Sequence, residues 1–367
     1  MMMLKEKISK IAAHYQIAGD YVVAQPYGSG HINDTYAVEY NQGGTFIRYI
    51  FQRINHNVFK QPEQLMDNIQ RVAAHIKAKL AANKDSTRHT LTIVKSRDNK
   101  PFYRDTDGNY WRVYVFVEHA LSYDVIETPE QAYQAARAFG EFQHDLVDLP
   151  SPRLFETIPN FHNTPWRYEM LEQAIAEDKC HRAASCRAEI DFALTRKTDA
   201  SVLIKLQQEG KIPERITHND TKLNNVLIDS LTGDGICVID LDTVMPGLVH
   251  YDFGDMVRTG TSPAAEDEKD LSKVTMQFDM FEALLRGYLQ SAGKFLNATE
   301  RHYLPFSGKL ITLEIGVRFL TDYLQGDVYF KIHRPEHNLD RCRTQFKLVE
   351  SIEDQSDRMM QLLESIK

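Results

Sequence analysis

Between Thr217 and Asp229 the chain reads THNDTKLNNVLID, followed from Cys237 by CVIDLDTVMPG. His218, Asp220, Lys222 and Asn225 fall within eight positions beside β-type residues. The spacing is H-x-D-x-K-x-x-N, then two short strands, then Asp240 at the end of the second. A hairpin brings its two ends together, so Asn225 and Asp240 can converge on one ion. A hard cation such as Mg²⁺ takes oxygen ligands and keeps waters and phosphate oxygens as the remainder. Asp220 is then placed to accept a hydroxyl proton as the oxygen attacks phosphorus. Lys222 sets a charge toward the transferred group, where negative charge spreads over three oxygens. His218 is expected to brace the loop by hydrogen bonding. The plain alternative is a polar, solvated turn, and H-x-D alone does not exceed it.

The elements around the loop decide between these readings. VLID (226–229) and ICVID (236–240) read as the two short strands, joined by SLTGDG. Upstream, YVVAQPYG (21–28), TYAVEY (35–40) and TFIRYIFQRI (45–54) are β-rich, with Gly or Asn between them. Leu65, Ile69, Val72, Ile76 and Leu80 recur three or four apart, which predicts a helix over 61–80 with one buried face. LTIVKS (91–96), PFYRD (101–105) and YWRVYVFVEH (110–119) return to strands. After Leu121 the pattern is helical: 129–146, one or two helices over 168–206, 311–324, and 339 to the C-terminus. Composition places a hinge near 119–128. A small β-rich part preceding the loop and helices around it favour the phosphoryl-transfer reading.

The 367 residues allow about two domains, and 43% hydrophobic with 26% charged residues is ordinary for a globular chain. A net charge of −8 disfavours nonspecific nucleic-acid or anionic-membrane partners. No apolar run approaches a membrane span, and MMMLKEKISKIAAHYQIAGD lacks the apolar core of a signal peptide. Cys180, Cys186, Cys237 and Cys342 show no CxxC spacing. These features predict a cytoplasmic protein with reduced thiols, a monomer without nucleic-acid or membrane partners.

Loop and lobes together resemble the protein-kinase-like fold, and within it the aminoglycoside phosphotransferase and choline kinase branch. The resemblance implies an α+β bilobal architecture: a small β-rich nucleotide-binding N-lobe over 1–120, and a larger, mainly helical C-lobe over 121–367 with the catalytic loop and acceptor site. It makes Asp220 the catalytic base, Asn225 and Asp240 the magnesium ligands and Lys222 the γ-phosphate contact. Asp252 in YDFGD (251–255) would support the loop from behind. YGSGHINDTY (27–36) places Gly28 and Gly30 in a turn whose amides face phosphates. Adenine is expected against the backbone of Glu118 and His119. The chain departs from the pattern at the third strand. Gln52, flanked by Arg53, stands where a nucleotide-clamping lysine belongs, and neither Glu63 nor Asp67 completes a Lys–Glu pair.

A longer set of segments narrows the resemblance. GHINDTY (30–36), WRVYVFVEH (111–119), IDLDTVMPG (239–247), EDEKDLSKV (266–274), LPFSG (304–308), RFLTDYLQGDVYF (318–330) and PEHNLDRCRTQFKLV (335–349) are similar to the N-acetylhexosamine 1-kinases. That family transfers phosphate from ATP, with Mg²⁺, to the anomeric hydroxyl of N-acetylglucosamine or N-acetylgalactosamine. The resemblance implies acceptor contacts from His31, Asn33 and Asp34 of the glycine turn, and from Arg318 and Tyr329. Choline, homoserine or aminoglycoside kinases are the alternatives within the fold. A pseudokinase would lack one of Asp220, Asn225 and Asp240, and all three are present. A cysteine-type sulfatase would need Cys-x-Pro-x-Arg, and no cysteine here begins that sequence.

Overall fold

The computed structural model describes residues 2–28, 32–80 and 86–366. Two compact units emerge. The first takes Met1–Leu121, Asp148–Pro159 and Leu227–Met245; the second takes Ser122–Val147, Asn160–Val226 and Pro246–Lys367. The hairpin segment Leu227–Met245 thus belongs to the same unit as the N-terminal sheet, which composition alone does not reveal.

In the first unit, α1 (Met2–Ala12) precedes β1 (Asp20–Pro26), β2 (Asp34–Gln42), β3 (Thr45–Ile54), α2 (Pro62–Leu80), β4 (Ile93–Val94), β5 (Tyr103–Arg104) and β6 (Tyr110–Val115). The sheet runs β1-β2-β3-β6-β4, with β5 also on β6, and its pairs are antiparallel. Gln42 pairs with Thr45 across Gly43 and Gly44, both at positive φ, the two-residue turn that matches strand twist. Period-two alternation sorts the faces. Val38, Tyr40, Tyr49, Phe51, Trp111 and Val113 pack with Ile8, Ile11 and Ala12 of α1. The other face carries cross-strand rows Thr35–Gln52–Arg112 and Ala37–Ile50–Tyr114. The expected strands over 91–105 shrink to two residue pairs. Helix α2 buries Leu65, Ile69, Val72 and Ile76, as its spacing requires. A second sheet orders β10 (Gly235–Val238), β9 (Val226–Asp229) and β7 (Ala120–Leu121), so the predicted hairpin forms.

The second unit is mainly helical. It contains α3 (Pro129–Asp145), α4 (Thr164–Glu177), α5 (Arg187–Thr195), α6 (Val202–Gln208), α7 (Val249–Gly260), α8 (Phe278–Ala292), α9 (Ala298–His302), α10 (Leu304–Gln325), α11 (His337–Asp354) and α12 (Ser356–Ser365). Strand β8 (Arg215–Thr217) pairs with β11 (Met245–Gly247). The expected helix pair over 168–206 is broken into α4, α5, α6 and short 3₁₀ turns; Asp178 ends α4 in a left-handed cap. Thr128 and Gln131 close a capping box at the start of α3. Helix α10 is buried along almost its whole length, so it carries no periodic polar face. No helix among the described residues is long and apolar enough to cross a membrane. The four cysteines are free; burial, which disfavours the thiolate, pushes Cys186 up to about 11 and Cys237 up to about 12.

Helices α3 and α8 approach closely through reciprocal glycines. A β-carbon on Gly287 would lie 2.2 Å from the Tyr133 carbonyl oxygen, and one on Gly140 would lie 2.9 Å from that of Tyr288. Gly287→Ala therefore forces the helices apart. Overpacking of about 1–3 kcal/mol is expected to exceed the roughly 1 kcal/mol helix-propensity gain of alanine. Thermal unfolding should show a lowered Tm; a Tm at or above the parent's contradicts the close packing.

Candidate active site

The loop between β8 and β9 is built from a buried carboxylate outward. Asp252, on α7, accepts from the backbone N–H groups of His218 (2.9 Å) and Asn219 (2.7 Å). Gln143 Nε2, from α3, donates to the same carboxylate at 2.6 Å, while Tyr288 Oη of α8 donates to Gln143 Oε1 at 2.5 Å. Thr221 Oγ1 returns a bond to the Asp252 carbonyl, 2.6 Å. The loop is thus tied to α7 on both sides of Asp220. Burial, the largest influence on Asp252, raises its pKa despite these donors. His218 is fully buried between Phe139 and Phe142, edge to face with both. Its Nδ1 lies 3.4 Å from the Asp220 amide, so it braces the loop. Asn219 takes a left-handed conformation (φ 65°) stabilised by Thr217, whose Oγ1 donates to Asn219 Oδ1 at 2.9 Å.

Asp220 follows with its side chain 30% exposed. Lys222 Nζ is 3.4 Å from its Oδ1. Burial would raise the Asp220 carboxyl, but the charges of Lys222, His218 and Arg258 outweigh it, and its pKa lies below the ordinary carboxylate value. Asp220's charge in turn raises Lys222. At neutral pH this is a carboxylate beside an ammonium. Asn225, 7% exposed, spends Nδ2 on the Asp220 carbonyl at 2.8 Å, which leaves Oδ1 as an acceptor.

A cluster of charged and aromatic side chains in the same unit is joined to this loop through one histidine. His162 has Nε2 3.1 Å from the Asn219 carbonyl and Nδ1 2.8 Å from Glu314 of α10. Thr164 Oγ1 also donates to Glu314, at 2.6 Å, so that buried carboxylate is taken up locally. Two arginines flank it. Arg167 donates to the Phe161 carbonyl, and its Nε is buried without a partner. Burial first, then the charge of Arg318, lowers Arg167 to about 10. Arg318, one turn after Glu314, is 9% exposed. Its guanidinium faces the rings of Phe161 (5.3 Å), Phe330 (5.6 Å) and Tyr329 (5.9 Å), and it makes no ion pair or hydrogen bond among the described residues. The Tyr329 segment is placed by Asp322, which accepts the N–H groups of Val328, Tyr329 and Phe330 at 2.8–2.9 Å. The structure therefore brings the expected pair Arg318 and Tyr329 together. His162, Arg167 and Glu314 were not foreseen, since only the fold joins residues about 150 positions apart.

The first unit carries the residues expected on the nucleotide side. Arg112, with its side chain 1% exposed, pairs with Asp242 and donates through Nε to Gln52 Oε1 at 2.9 Å. Gln52 Nε2 donates to Thr35 Oγ1 at 3.0 Å, so both ends of its amide are engaged within the sheet. Asn33 Nδ2 donates to Asp242 Oδ2 (2.7 Å), and Asn33 Oδ1 accepts from the Asn55 amide (2.9 Å). Asp34 pairs with Arg53 at the surface. Asn33 and Asp34, expected on the acceptor, are thus occupied in the nucleotide half. Gly28 sits at φ 79°; Gly30 and His31 lie outside the described residues. Asp240 ends the hairpin in a left-handed conformation, φ 55° and ψ 59°.

The residues expected at adenine already have partners. The Glu118 carboxylate pairs with Arg48, whose guanidinium lies 3.8 Å from the Phe116 ring centroid. Arg88 donates to the carbonyls of Glu118 and His119, and Ser230 N also donates to that of His119. On α2, Asp67 pairs with Arg71, whereas Asn68 is fully buried and donates to the carbonyls of Phe155 and Val244. Asn68 and Arg112 are the residues missed here. The signal for Arg112 is a lone charge in the apolar strand YWRVYV, which a buried position obliges to find a partner.

The comparisons agree with this architecture. An aminoglycoside phosphotransferase from Alicyclobacillus acidocaldarius superposes with a TM-score of 0.61 at 14% identity, over 98% of this chain and 96% of that one. A microcompartment-associated aminopropanol kinase gives 0.58 at 16% identity, over 97% and 98%. A choline/ethanolamine kinase family protein from Mesorhizobium loti gives 0.55 at 16%, over 99% of both chains. At these identities the likeness is one of fold. The sequence profile of the phosphotransferase enzyme family matches residues 23–299, most of the chain. The chain belongs to the phosphotransferase enzyme family, as a small-molecule phosphotransferase on a kinase-like fold.

Proposed function

We propose that the protein transfers the γ-phosphoryl group of ATP to the anomeric hydroxyl of an N-acetylhexosamine, giving the sugar 1-phosphate. The observation that carries this reading is Arg318: a mostly buried arginine faced by three aromatic rings, with no ion pair or hydrogen bond among the described residues, beside a second arginine and the buried Glu314 carboxylate whose pKa both arginines lower. Such a group of side chains suits a neutral acceptor with carbonyl and hydroxyl oxygens, which accept from guanidinium N–H groups while the sugar's apolar face lies on a ring. It repels a cationic one. Two guanidiniums against the single Glu314 carboxylate leave a net positive charge, which disfavours an ammonium group there. Choline, ethanolamine and polyamine acceptors fit poorly on that ground.

In this reading Asp220 accepts the proton of the sugar hydroxyl as its oxygen attacks phosphorus, and Lys222 offsets charge on the transferred group. His162 and Asp252 hold the loop that aims Asp220. Asn225 Oδ1 and Asp240 are hard oxygen donors of the kind magnesium takes, and they would hold the ion. Magnesium, when bound, neutralises charge on the phosphates. The backbone of Glu118 and His119 would face adenine, and Gly28 and Gly30 the phosphates, while Gln52, held at both ends of its amide by Arg112 and Thr35, makes no such contact; His31 and Tyr329 would complete the acceptor contacts.

The decisive experiment presents the purified protein with ATP, magnesium and a panel of acceptors: N-acetylglucosamine, N-acetylgalactosamine, glucosamine, choline, homoserine and an aminoglycoside. Phosphorus NMR should place the product phosphate on the anomeric carbon of the N-acetyl sugars; a higher kcat/KM for any amine acceptor refutes the assignment. Asp220→Asn should lower kcat by about 10²-fold or more, with nucleotide affinity unchanged by calorimetry. Near-normal turnover would remove Asp220 from the role of base. Arg318→Met should raise KM for N-acetylglucosamine by about tenfold, the loss of one charged hydrogen bond. It should also narrow the preference over glucosamine. If the preference is undiminished, selectivity resides elsewhere.

A further inference from the structure

Arg112 occupies a singular position in the first unit. It lies on β6 in register with Gln52 on β3, the position where the kinase-like pattern calls for a phosphate-clamping lysine. The cation is present, one strand over. With its side chain 1% exposed it is closed to a nucleotide, so any effect on one must pass through its partners. Those partners are specific. Nη1 pairs with Asp242 Oδ1, Nε donates to Gln52, and Asp242 Oδ2 accepts from Asn33. Both oxygens of Asp242 are therefore committed. Two segments with nucleotide-side roles meet on that carboxylate: the 240–243 turn, which begins at Asp240, and Asn33, just past the glycine turn. Asn68, through the Val244 carbonyl, holds the far end of the same turn.

We propose that Arg112 is the positioning residue of the nucleotide half: by holding Asp242 it fixes the turn that presents Asp240 to the magnesium of the nucleotide, and it keeps Asp242 from competing for the ion. This rests on the phosphotransfer reading above, and deepens it. Groups behind a metal ligand that fix its geometry typically change metal affinity by about 10–100-fold when lost.

The test is calorimetric and needs no acceptor: ATP affinity is measured with magnesium and with chelator, and their ratio is the magnesium-dependent gain. Removing Arg112 alone would strand a buried charge, so the informative variant is the double, Arg112→Gln with Asp242→Asn, which leaves no orphan charge. It is expected to bind ATP in chelator as the parent does, within about twofold, and to lose ~10-fold or more of the magnesium-dependent gain. Arg112→Lys, which keeps the charge on Asp242 but not the second donor to Gln52, should recover part of the gain. Asn33→Ala removes only the other tie on Asp242, and keeps the question answerable if the double variant does not fold. It should cost about threefold, a weaker share of the same support. An unchanged gain in whichever of these two variants folds makes Arg112 a structural ion pair and overturns the proposal. A parent that binds magnesium-ATP but phosphorylates no N-acetyl sugar would sink the substrate assignment while leaving Arg112 to be judged on these ratios. A parent that binds no magnesium-ATP refutes both.

Discussion

The carboxylate of Asp252 is the point on which the catalytic loop depends. A buried carboxylate is costly unless donors surround it, and here it receives two backbone amides, of His218 and Asn219, and the side chain of Gln143. Satisfying Asp252 thus dictates the backbone just before Asp220, including the left-handed Asn219 that the loop needs in order to turn. The dependence continues outward. Gln143 is oriented by Tyr288, and Tyr288 reaches it because α3 and α8 meet through glycines. Helix packing, hydrogen bonding and the aim of one carboxylate are a single linked constraint.

The chain treats its two most telling arginines in opposite ways. Arg112 is given a carboxylate and an amide, so its burial is compensated inside the protein. Arg318 is given only ring faces, which attract a guanidinium by roughly 0.5–2 kcal/mol each and leave its N–H groups without acceptors. A cation bonded within the protein organises structure; one that keeps its N–H groups off protein acceptors among the described residues is available to a ligand. Glu314 gives its hydrogen bonds to His162 and Thr164, and acts on Arg167 and Arg318 through charge alone. With two guanidiniums to one carboxylate, the cluster keeps a net positive character.

Local chemistry was legible in the sequence, and long-range pairing was not. TFIRYIFQRI reads as a strand from Thr45 to Ile54 because β-branched and aromatic residues fill it and glycines precede it, and the strand has those bounds. H-x-D-x-K-x-x-N reads as one loop because its members are neighbours in the chain. Asp240 and Asp242, two positions apart in IDLD, look alike on paper; only Arg112, 130 residues away, distinguishes them. Helix α1 carries Ile8 and Ile11 at helical spacing, but its buried face has meaning only once a sheet lies beneath it. The 168–206 stretch misleads for the reverse reason: its apolar residues are periodic enough for a helix, while Asp178 turns left-handed and divides it.

The electrostatics of Asp220 also bear on the acceptor. Lys222, His218 and Arg258 hold its carboxyl below the ordinary value, so it is ionised at neutral pH but a weak base. A weak base removes a proton efficiently only when the hydroxyl is comparatively acidic, or when the proton leaves late in a loose transition state. An anomeric hydroxyl is more acidic than the other hydroxyls of a sugar, and far closer to this base than a simple alcohol. In the reaction proposed above, Lys222, which weakens Asp220 as a base, would also offset charge on the phosphoryl group. Strengthening the base by removing that charge would sacrifice the stabilisation, so the proposed reaction is served best by an acidic hydroxyl.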